Sequence, residues 1–191
     1  MRPDIQAAVM TVGGITLQRA DWSAEARASL RAAAAAEAER RGLELVFADA
    51  AVPPSPAELT YERLHAAVGT TIEESVSGRR VIPSKAGRLD WSLGPGVAEL
   101  GRQYAADYAL FLVYRTTRSS TTRRVFAAAS LMFMPGLYSN FGGQSGCLSL
   151  VDLRTGDVVW FTRVSSLLAD VRDQDGAEAA MARLFRKFPE P

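Results

Sequence analysis

A chain of 191 residues with a hydrophobic fraction of 48% has the material for one domain with a real core and no need of covalent staples. Its formal net charge of +1 removes the usual electrostatic ground for a nucleic-acid or polyanion partner. Cys147 is the only cysteine, which excludes an intramolecular disulfide and a thiolate metal cluster. Of the 22 basic residues only Lys85 and Lys187 are lysines, and with abundant alanine this reads as a GC-rich coding sequence rather than an arginine-specific binding surface.

No run approaches the ~18 apolar residues that a transmembrane helix needs. Met1-Arg2-Pro3-Asp4 leads straight into a strand-like run, without the basic region and apolar core of a signal peptide. The chain therefore reads either as cytoplasmic or as one that starts after a removed export signal.

Ile5 to Val12 reads as a first strand, closed by a backbone turn at Gly13-Gly14. Asp21 and Ser23 are candidate N-caps of an alanine-rich helix that runs to about Arg41 and stops at Gly42. Leu43 to Ala48 reads as a second strand, which would complete a βαβ unit. The prolines of Val52 to Pro56 make a loop, and a second helix follows from Pro56 or Ala57 to Val76. Residues 77 to 95 read as an irregular surface excursion anchored by Trp91, and a third helix spans roughly Gly96 to Ala105.

Asp107 to Tyr114 is the strongest strand signal, apolar on both faces as a central strand requires. The polar stretch Thr116 to Thr122 reads as a turn, and Arg124 to Met134 as a core strand running into a loop at Pro135-Gly136. Two apolar runs, Cys147 to Leu153 and Val158 to Val164, flank a polar link with one glycine, the pattern of a β-hairpin. A last helix covers about Asp175 to Lys187.

Candidate chemistry is sparse. His65, the only histidine, sits mid-helix without ligand spacing around it and reads as a partly buried core residue. Cys147 lies inside an apolar run and reads as a small buried hydrophobe. Gly13-Gly14 lacks the spacing of a phosphate loop, and no Gly-x-Ser-x-Gly elbow is present. Asp152 and Asp157 read as turn aspartates that bond the local backbone rather than as a carboxylate pair. The stretch with a functional reading is apolar: Phe126, Leu131, Met132, Phe133, Met134, Leu137, Tyr138 and Phe141 form a candidate surface for self-association or membrane contact.

The segment Asp152-x-x-Thr155-Gly156-x-x-x-Trp160, between two strands, resembles a motif of the bacterial envelope lipoproteins. That family includes the curli-secretion subunit CsgG, peptidoglycan-synthase activator lipoproteins and exopolysaccharide-export lipoproteins, with a fold similar to the N-terminal domain of TolB. Upstream, Ala105-Ala106-Asp107-Tyr108-Ala109-Leu110 resembles the family's lead into the central strand. The lipid-bearing N-terminal cysteine has no counterpart in this chain, nor do residues 77 to 95 match the family. The resemblance implies a non-catalytic interaction protein, periplasmic and tethered to the outer membrane through an upstream lipid, with other envelope proteins and itself as partners. It carries over no catalytic residue, cofactor or metal.

The expectation is one α/β domain over residues 1–191: a mixed sheet of about five strands with helices packed on it, a βαβ opening, and a C-terminal β-hairpin and helix. The alternative is a cytoplasmic small-molecule-binding or enzymatic α/β domain with a pocket near Gly13-Gly14 and Asp107.

Overall fold

A computed structural model describes residues 1–85, 88–130, 142–166 and 170–189. It is an α/β fold around a mixed five-stranded sheet: β1 (Asp4–Met10), β2 (Thr16–Gln18), β3 (Tyr108–Ser119), β4 (Gly142–Asp152) and β5 (Val158–Ser166), in the order β2-β1-β3-β4-β5. Only β1 and β3 are parallel; the other neighbours are antiparallel. Helices α1 (Ala20–Arg40) and α5 (Gln174–Leu184) cover one face, where Leu30, Ala33, Met181 and Leu184 meet Ile5, Leu112, Tyr114 and Leu148. Helices α2 (Pro56–Val76) and α3 (Ala98–Tyr104) cover the other, where Ile72 and Leu100 meet Ala109, Phe111 and Val151.

The alanines of α1 work as the sequence suggests: Ala26, Ala33, Ala34 and Ala38 are buried, and their small side chains bring the helix close to the sheet. The helix starts at Ala20, two residues before the start that an Asp21 cap would give, and neither candidate caps it. Asp21 instead pairs with Arg19, while the Ser23 hydroxyl donates to Arg19 O at 2.8 Å and accepts from the Ala7 N–H at 3.0 Å, tying the helix to β1. At the far end Gly42 takes the left-handed conformation, φ 66°, that stops the helix.

Three expectations about strands are corrected. Leu43 to Ala48 is not a strand; the parallel partner of β1 is β3, and both edges of β1 are already filled by β2 and β3. The segment uses its alternation differently, packing Leu45 and Phe47 onto the α1/α5 core, with the Arg31 guanidinium 4.4 Å over the Phe47 ring. Thr116 to Ser119 is strand rather than turn: it pairs with Ala7–Met10 on one side and Gly142–Gln144 on the other. Between two partners the backbone is satisfied whatever the side chains are, so polarity misleads there. Arg124 to Ser130 belongs to helix α4 (Thr121–Ser130), whose start is closed by Ser120 accepting from the Arg123 N–H on its hydroxyl and from the Arg124 N–H on its carbonyl. Of the candidate contact surface, Phe126 lies on α4, and Leu131, Met132, Phe133, Met134, Leu137, Tyr138 and Phe141 lie outside the described residues.

Helix α2 opens with a full capping box: Ser55 Oγ accepts from the Glu58 N–H at 3.2 Å and the Glu58 carboxylate accepts from the Ser55 N–H at 2.7 Å, with Pro56 at the first helical position. Ser55→Ala is expected to lower stability by about 1 kcal/mol in urea unfolding, since it removes one half of that exchange. No loss would show that the box adds nothing here.

Candidate functional site

The β4–β5 hairpin is built by its turn residues. Gly156 has φ 86°, its N–H donates to Asp152 O at 2.8 Å, and Asp152 N–H returns to Asp157 O at 3.0 Å. Asp152 Oδ1 accepts from the Arg154 N–H at 2.8 Å, and the Arg154 guanidinium holds this carboxyl below its ordinary range. Thr155 Oγ1 accepts from the Asp157 N–H at 3.2 Å. Asp152 thus spends its oxygens on the local turn. Trp160 packs edge-on against Phe188 at 5.0 Å, and its indole N–H donates to Lys187 O at 2.7 Å, fixing the C-terminal turn.

The excursion at residues 77 to 95 ends against this hairpin. Leu93 N–H donates to Gly156 O and Val158 N–H to Trp91 O, both at 2.8 Å, and Leu93 is buried. A Cβ on Gly156 would sit 2.2 Å from Gly94 O, so the glycine is required both by its φ and by this close approach. Trp91 anchors the excursion as expected; that its backbone extends the hairpin was not visible in the sequence.

The opposite end of the sheet carries exposed apolar side chains. Ile15 and Leu17, on the β1–β2 hairpin, are 65% and 50% exposed, and Val125 on α4 is 63% exposed. The two elements are fastened together: Ser120 N–H donates to Met10 O at 2.9 Å, and the Arg123 guanidinium donates to Thr11 O at 3.3 Å and Val12 O at 3.2 Å. The start of α4 and the start of β4 lie at this end. The short strand β2 was not read from the sequence, because three residues give too little alternation to mark a strand.

The titratable candidates are buried. His65 is 1% exposed, stacks on Phe111 with ring centroids 4.3 Å apart, and burial pushes its pKa down to about 4. Cys147 is buried in β4, and burial pushes its thiol up to about 12, so it holds no thiolate near neutrality. Glu58, missed as a cluster centre, is buried where α2, α3 and the start of the chain meet. Burial alone would raise it, but hydrogen bonds from the Tyr104 hydroxyl (2.6 Å), the Ser55 N–H (2.7 Å) and the Gln103 amide (3.2 Å), with the Arg2 guanidinium at 2.7 Å, outweigh that and hold it at about 2. Its sequence signal was the Ser55-x-x-Glu58 box. Among the described residues no group of three or more His, Cys, Asp or Glu is placed to hold a metal ion, and no helix is long and apolar enough to cross a membrane.

An apolar groove of about 520 Å³ lies where α1 and α5 end short of the sheet. Tyr108, Leu110, Leu150 and Val159 form one side, and Leu43, Leu45, Phe185 and Phe188 the other. Asp107 lies at this end, before β3, whereas Gly13-Gly14 follows the C-terminal end of β1, parallel to β3; the structure does not bring them together. Gly13-Gly14 forms the β1–β2 turn, with Thr11 N–H donating to Ile15 O at 2.9 Å and Gly14 at φ 82°.

Comparison of the chain with protein-family models, with curated proteins and with solved structures found no match.

Proposed function

We propose that this protein is a non-catalytic interaction protein of the bacterial envelope, periplasmic, tethered to the outer membrane by an upstream lipid, and part of a secretion or wall-building assembly. The observation that supports the interaction reading best is the set of exposed side chains Ile15, Leu17 and Val125 at the end of the sheet where α4 and β4 begin. The envelope setting rests on the resemblance carried by Asp152, Thr155, Gly156 and Trp160 and by the lead into β3. Partners are other envelope proteins and further copies of the chain; nucleic acid is not among them.

The Phe126 to Phe141 segment supplies the contact in this reading. Light scattering on the native protein and on Phe133→Ser tests it: the variant is expected to lose mass or partner and membrane binding relative to native. Equal mass with unchanged binding removes the segment from the account. The in-frame coding sequence upstream of Met1 tests the envelope setting separately. A signal sequence ending in a small-residue box and cysteine is expected, and an in-frame stop there contradicts it.

A second reading is favoured by the groove of about 520 Å³, which lies in the size range of small-molecule sites. In that reading the chain is a cytoplasmic small-molecule-binding or enzymatic domain, and an in-frame stop upstream of Met1 supports it.

A further inference from the structure

Residues 43 to 48 run along one wall of the apolar groove, and their backbone is held at its ends alone. Leu43 N–H donates to Ala38 O at 2.9 Å, and Ala48 O accepts from the Arg31 guanidinium at 3.2 Å. Between these points the backbone of Glu44, Leu45, Val46 and Phe47 makes no hydrogen bond to any described residue. Leu45 and Leu110 line the groove, and both also line a smaller cavity of about 30 Å³, with Ala34, Leu148 and Met181 among its other walls. The two spaces therefore meet at Leu45, which sits on the unbonded span. The side chains of the groove offer one hydroxyl, at Tyr108, and one charge, at Glu44.

We propose that the groove holds the alkyl chain of a single-chain amphiphile with an uncharged head, whose terminal carbons pass Leu45 into the inner cavity. A peptide strand would need main-chain partners, and the groove floor is a side-chain face of β3, β4 and β5 rather than a sheet edge. A compact ring system fills the groove without using the inner cavity. A flexible chain uses both, and each CH₂ withdrawn from water tightens binding about fourfold. Glu44 on the wall sets a like charge against a carboxylate or phosphate head. The proposal rests on the groove being a ligand site, as in the second reading above, and holds whatever the compartment.

The neutral dye N-phenylnaphthylamine, bound to the full chain and displaced by lipid below micelle formation, supplies the test. Monooctanoin, monodecanoin and monolaurin are expected to displace it with affinity rising about fourfold per CH₂. Laurate is expected to be weaker than monolaurin at low salt, and Glu44→Gln to narrow that gap. Val159→Asp, at an exposed position on the floor, is expected to lose dye and lipid together with an unchanged far-UV spectrum. Ala34→Val narrows the inner cavity and is expected to flatten the rise from monodecanoin to monolaurin while leaving monooctanoin unchanged. Should Ala34→Val not fold, the chain-length series on the native protein decides. Dye that binds, is lost in Val159→Asp and yields to none of the lipids overturns the alkyl chain and leaves the groove reading standing. Dye that fails to bind, or binds equally in Val159→Asp, overturns both. Affinity that does not rise with chain length, or laurate tighter than monolaurin, also overturns the proposal.

Discussion

Replacing Gly156 by alanine is expected to cost at least about 3 kcal/mol of folding stability, read as a shifted midpoint in urea at unchanged slope. Two terms add. The residue sits at φ 86°, where an L side chain is strained by about 1 kcal/mol or more. The added Cβ would also meet Gly94 O at 2.2 Å, backbone against backbone, so relief requires moving the Trp91–Gly94 segment off the hairpin. Gly94→Ala provides the control. Gly94 has φ 80° but nothing within 4 Å of a Cβ, so this variant carries strain without collision and should lose only about 1 kcal/mol. Equal losses in the two variants would mean that Trp91–Gly94 is not seated on the turn.

Acid is expected to weaken the fold in two stages. His65, the only histidine, has a folded pKa of about 4 against 6.5 when exposed. Between those values the unfolded chain binds a proton that the folded chain refuses, so stability is full above about pH 6.5, declines as pH falls toward about 4, and levels off below. The whole step is about 3 kcal/mol. Glu58 has the opposite charge type and the same sign of effect. Held at about 2, it contributes stability that is present above its unfolded pKa and is lost as pH falls from about 4.5 toward 2. Glu62, raised by burial, works against the His65 trend just above its ordinary range, which makes a difference experiment necessary. Urea midpoints of native protein and His65→Gln, followed from pH 7 to pH 4, supply it. The difference should change by about 3 kcal/mol across the window; parallel curves would place the imidazole in water rather than on Phe111.

The sequence was legible where a local pattern had a single structural meaning. Pro56 in a first helical turn marked a helix start, Gly42 marked a helix end, and Gly156 between two apolar runs marked a hairpin turn. It failed where the same pattern serves two arrangements. Leu43, Leu45 and Phe47 alternate like a strand, yet whether an extended segment pairs or merely packs depends on which sheet edges are free, a global fact settled by β2 and β3. Thr116 to Ser119 looked like a turn because its position between β1 and β4 is non-local. Phe126-Ala127-Ala128-Ala129 suits a helix or a buried strand, and the Ser120 cap that selects the helix lies outside the apolar run.

The candidate site divides in the same way. Asp152, Thr155, Gly156 and Trp160 were readable as fold markers, and each has a packing or turn role: Trp160 holds Lys187 and Phe188, and Gly156 receives Gly94. The groove beside Tyr108 and Val159 was not readable, since it exists only because α1 and α5 end before the sheet does. Cys147 and His65, read as core residues, are both buried, His65 on α2 against Phe111 and Cys147 on β4.

Where the native full-length protein sits in its own cells tests the envelope reading most directly. Fractionation with protease protection is expected to recover the protein with outer-membrane markers, resistant to added protease until the outer membrane is permeabilised and sensitive afterwards. Recovery with cytosolic markers, protected until the inner membrane is broken, would contradict the reading and leave the groove beside Tyr108 as the place to seek a ligand.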